Sequence, residues 1–105
     1  MHEIEQRWNE IKEAVRNERE LSDVAYNTWI APLEIFKVEN DVVTVLIPSY
    51  QVHSLDYISK KFKLDFKVAV SEMMNHEYEI EFILENEETK NEIFKETSPV
   101  YNFNY

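Results

Sequence analysis

The sequence predicts one α+β domain in which three helices pack on a small three-stranded sheet, in the order ααββαβ. Two observations carry that expectation. Apolar residues recur at helical spacing over roughly 3–18, 22–31 and 49–75, and strand-like runs fill 33–38, 42–47 and 77–84. A chain of 105 residues with 44% hydrophobic and 13% aromatic content can bury one compact core and has no room for a second.

The first helix follows from Ile4, Trp8, Ile11 and Val15, separated by charged and polar positions, so one narrow stripe must be buried. Ser22 opens the second, because its hydroxyl can accept from free backbone N–H groups. Pro32 restricts the residue before it and stops that helix near Ala31. Its apolar side is Tyr26, Trp29 and Ile30, continuing to Leu33.

Leu33–Val38 and Val42–Ile47 flank the polar corner Glu39-Asn40-Asp41 and read as a hairpin. Leu33 and Ile35 share one phase and Phe36 and Val38 the other, so this strand either carries a bulge or buries both faces. The second strand is apolar on both faces. Pro48-Ser49 opens the third and longest helix, with Leu55, Ile58, Phe62, Phe66, Ala69 and Met73 inward, down to about Asn75. Alternation over 77–84 then places Tyr78, Ile80, Phe82 and Leu84 inward. Beyond this domain, 1–85, the segment 86–105 is polar and mostly acidic and reads as linker, with Ile93-Phe94 as an apolar pair able to dock.

Several function classes are disfavoured by composition. With 21 acidic against 11 basic residues the net charge is -10, which repels a phosphate backbone over most of the surface. Glycine is absent, and phosphate cradles need it for close backbone approach. Cysteine is absent too, and no Ser/His/Asp set or carboxylate pair falls on elements that bring it together, so no enzyme is expected. His2, His53 and His76 are too scattered for a metal site. Without a signal-like start or a membrane-length apolar run, the chain is expected in the cytoplasm. Lys60, Lys61, Lys63 and Lys67 fall within eight positions, but Asp56 and Asp65 among them make a solvated helix face the better reading than a nucleic-acid footprint.

Three motifs carry a resemblance across residues 4–84. They are Ile4-Glu5-Gln6-Arg7-Trp8-Asn9-Glu10-Ile11, the run from Leu21 to Leu33 containing Tyr26-Asn27-Thr28-Trp29-Ile30, and Ile47-Pro48-Ser49 with Tyr57-Ile58 and Phe62 downstream. Together with the element order they resemble the first domain of the bacterial replication initiator DnaA, whose fold is related to the KH module. Ser98-Pro99-Val100-Tyr101-Asn102-Phe103 is similar to the segment leading into the ATPase module of these initiators. In the family, ATP binding belongs to that following AAA+ module and origin binding to a helix-turn-helix module, so no cofactor is expected in this chain.

The resemblance implies a protein-interaction module that supports initiator assembly at the origin and recruits the replicative helicase or regulators. It implies weak self-association through the first helix at Trp8, where the apolar pattern alone favours a packing role. A second surface is implied around the second helix and the start of the third: Ala25, Thr28, Trp29, Tyr50, and either Gln51 or His53 at the family's aromatic position. Two rival readings are a KH-like single-stranded nucleic-acid binder, disfavoured because no Gly-x-x-Gly loop can form here, and a stand-alone regulator of the initiator.

Overall fold

The computed structural model describes residues 2–86. The expected linker and its Ile93-Phe94 pair therefore lie, from Glu87 onward, outside the described residues. Two helical segments begin the chain. In α1 (Glu3–Gln6) the His2 ring accepts from the Ile4 N–H at 3.0 Å while Glu5 accepts from the His2 N–H at 3.0 Å, a reciprocal cap. Helix α2 (Trp8–Arg19) follows after a break at Arg7, whose φ of -106° and ψ of 17° depart from helical values. The single predicted first helix is thus kinked, but its stripe holds, with Ile4, Ile11 and Val15 buried.

Helix α2 ends with Glu20 in the left-handed region at φ 53°, with Leu21 N–H bonded to the Arg16 carbonyl at 3.0 Å. Ser22 then caps α3 (Asp23–Ala25) through the Ala25 N–H at 3.1 Å, as predicted. From Tyr26 to Ile30 the helix widens into a π turn, closed by the Ala31 N–H on the Tyr26 carbonyl at 2.9 Å.

Strands β1 (Glu34–Glu39) and β2 (Val42–Ile47) pair antiparallel, and β3 (Glu79–Leu84) adds to the other side of β2 in parallel. Asn40 and Asp41, at φ 54° and 63°, make the two-residue turn that suits a right-twisted hairpin. The alternative left open for β1 resolves as a bulge: Ile35 pairs with Val45 and Lys37 with Thr44, leaving Phe36 without a partner across the ladder. Between β2 and β3 come a 3-10 stretch (Ser49–Ser54), kinked at Gln51, and then α4 (Leu55–Met74).

The core lies between the helices and one face of the sheet. Val43, Val45 and Ile47 from β2 and Ile80 from β3 meet Ile58, Phe62, Phe66 and Val70 from α4. Val70, absent from the predicted stripe, is fully buried. Burying each of these large side chains stabilises the fold by roughly 1.5–3 kcal/mol. No helix among the described residues is long and apolar enough to cross a membrane.

Candidate docking surfaces

Two contacts join the π turn to the 3-10 stretch and the start of α4. Gln51 Nε2 donates to the Thr28 carbonyl at 2.6 Å, and the Trp29 and Tyr57 rings lie 5.1 Å apart. Both follow from local geometry. The π turn places Ile30 in the core while leaving Thr28 exposed and Trp29 half-buried, and the kink at Gln51 turns its side chain inward between exposed Tyr50 and Val52. Gln51 is 9% exposed and its Oε1 has no partner among the described residues, so the junction keeps one buried acceptor free.

Three apolar side chains on α3 and the 3-10 stretch are exposed: Val24 at 76%, Tyr50 at 74% and Val52 at 47%. Predicted residues Thr28, Trp29, Tyr50 and Gln51 therefore do sit on the elements that meet here. Ala25 is half-buried one turn earlier, and His53 points to solvent. Of the two candidates for one position, Gln51 is the inward one and His53 the outward one. Sequence reasoning missed Val24 and Val52. Val24 carried a signal, since it falls off the stripe of Tyr26, Trp29 and Ile30 that the core uses.

Trp8, the self-association contact that the resemblance implies, is buried in the single chain. Its side chain is 6% exposed, its ring stacks on Phe66 at 5.2 Å, and its indole N–H donates to the Leu33 carbonyl at 2.8 Å. An amphipathic indole with both its face and its polar tip satisfied inside one chain is a core residue of that chain. Beside it Lys12 Nζ reaches the Ala31 carbonyl at 2.9 Å, and burial lowers the lysine pKa against a smaller opposing pull from Glu34.

The α4 lysines are not a continuous free patch. Lys67 bonds Glu79 at 2.7 Å and lies 3.5 Å from Glu77, and the hydrogen bond to Glu79 is the main cause raising its pKa. Asp65, expected among the lysines as their local counter-charge, is taken by Arg19 of α2 at 2.6 Å. Lys60 and Lys63 remain exposed beside Leu64. Among the described residues no group of three or more His, Asp or Glu could hold a metal.

Residues 5–72 match the family described as the DnaA N-terminal domain. The chain belongs to that family. The chromosomal replication initiator protein DnaA of Lachnoclostridium phytofermentans is 35% identical over 83 residues, covering 77% of this chain. The alignment spans only 18% of that relative's length. The matched segment of the DnaA N-terminal domain runs from the first helix to near the end of α4, so it contains both sides of the Thr28–Gln51 junction.

Proposed function

We propose that the chain acts as the protein-docking and self-association module of a DnaA-type initiator in the cytoplasm, supporting initiator assembly at the chromosomal origin and recruiting the replicative helicase or a regulator. It works by burying surface and carries out no reaction. The observation that supports this most is the exposure of Tyr50 and Val52 on either side of Gln51, whose side chain bonds Thr28, with Val24 exposed one turn before Thr28, because exposed aromatic and aliphatic side chains beside a desolvated polar contact are what a partner can bury.

Titration of the cognate replicative helicase against the wild-type chain and against Tyr50→Ala tests the reading. We expect saturable binding that Tyr50→Ala weakens by about tenfold or more, the loss of roughly 1.4 kcal/mol or more typical of a central aromatic, with the melting temperature unchanged. Equal binding by the two proteins, or no binding by either, rejects helicase docking at this surface.

A further inference from the structure

The outer face of α4 carries a second, largely apolar stripe, of which Leu64 and Val68 lie outside the core cluster. Tyr57, Lys61, Leu64 and Val68 follow one another at spacings of four, three and four, the repeat by which one helix presents a seam to another. Leu64 is 68% exposed and Val68 45%, on a helix whose opposite side is fully buried at Phe62 and Phe66. Alongside the stripe runs a groove of about 340 Å³ between α4 and α2, lined by Ala14 and Glu18 on one wall and Leu64, Val68 and Glu72 on the other. The small side chain of Ala14 leaves that groove room for a side chain from outside.

From this face we infer that α4 is a self-association surface, its occupant being the α4 of a second copy packed antiparallel about a two-fold axis near position 66. The inference rests on the reading of the chain as an interaction module and names the surface used. Charge along the helix is self-complementary in that arrangement. Residues whose numbers sum to about 132 face each other, which sets Leu64 against Val68 of the second copy and Lys61 against Glu72 of the second copy. Lys61 and Glu72 lie on the same flank of α4, as a two-fold contact requires. Among the described residues neither forms an ion pair in its own chain: Lys61 Nζ donates to the Tyr57 hydroxyl at 3.0 Å, and the nearby Asp65 is held by Arg19. Lys67, which would approach its own copy across the axis, is already held by Glu77 and Glu79. A parallel pairing would instead stack lysine on lysine. Two chains of net charge -10 repel at long range, yet salt near 0.15 M screens that beyond about 8 Å, inside which the Lys61–Glu72 contacts act.

Sedimentation of the 105-residue chain up to about 1 mM in that salt decides the matter. The wild type is expected to show a reversible monomer–dimer equilibrium that Leu64→Asp weakens by about tenfold or more. Lys61→Glu and Glu72→Lys are each expected to weaken it, whereas an equimolar mixture of these two variants should associate as well as the wild type, because both cross-copy contacts become opposite in sign. A wild type monomeric at every concentration overturns the inference. So does a dimer indifferent to Leu64→Asp, or a mixture no stronger than its components. The measurement contains no other protein, so its outcome is independent of whether the helicase docks at the Tyr50 surface.

Discussion

The Trp8 indole and the Lys12 ammonium converge on one atom, the Leu33 carbonyl oxygen, at 2.8 and 3.4 Å. Leu33 sits in the bend where the second helix gives way to β1, a place where the preceding proline supplies no N–H for the usual ladder. Two side chains of α2 thus fasten the chain at the point where helices turn into sheet.

Trp8→Ala should accordingly destabilise the domain by about 3–5 kcal/mol, the range for a buried large aromatic, while Trp8→Phe, which keeps the stack on Phe66 but leaves Leu33 with one donor fewer, should cost only about 1–2 kcal/mol. Urea unfolding followed by circular dichroism measures both. A Trp8→Ala protein as stable as the wild type would contradict the placement of this residue in the core.

Lys12 gives a pH dependence with a definite sign. Burial holds its pKa below 10.5, so between that lowered value and 10.5 the unfolded chain binds more protons than the folded one, and stability rises with pH across that window. Tyr26 acts oppositely. Burial raises its pKa above 10.0, assisted by Glu13 and opposed by Arg16, so stability falls once pH climbs past 10.0. Comparing wild type with Lys12→Met isolates the first effect: the stability difference should move in favour of the wild type as pH increases from about 7 to about 10. A difference that stays flat, or moves the other way, would count against a desolvated lysine at this site.

Glu20 occupies a left-handed position at φ 53° that favours glycine, in a chain that has none. Glu20→Gly should therefore stabilise the domain by about 1 kcal/mol, less whatever freedom glycine adds to the unfolded chain. Thermal unfolding reads this as a higher midpoint. A lower one would mean that the Glu20 side chain contributes more than its backbone strain costs.

How much of this was legible in the sequence depends on the residue. Ile58, Phe62 and Phe66 announced themselves because helical spacing and large apolar volume say the same thing. The break at Arg7 and the π turn at Tyr26–Ile30 did not, since both are set by where the helices must pack, and local propensity is indifferent to a single extra residue in a turn. Family resemblance pointed to Trp8 as an exposed contact. The apolar pattern pointed to packing, and the packing reading fits the 2.8 Å bond to Leu33. Thr28 and Gln51, 23 positions apart, were placed in one region by resemblance alone, as no periodicity links a backbone carbonyl to a distant amide.

The parallel pairing of β3 with β2 has a consequence for how the domain is born. β2 gains its first neighbour from the residues just before it, but its second arrives only after all of α4 has been made, since every register pair from Val42–Glu79 to Ile47–Leu84 joins segments separated by that helix. A nascent chain emerging from the ribosome therefore holds a hairpin whose central strand has one bare edge until Leu84 is clear of the exit tunnel, and long-range parallel pairing is the slow step of such topologies. Tunnel-stalled lengths ending before β3 would expose Val43 and Val45 to whatever folding helpers bind apolar strands, and release from those helpers would coincide with closure of the sheet.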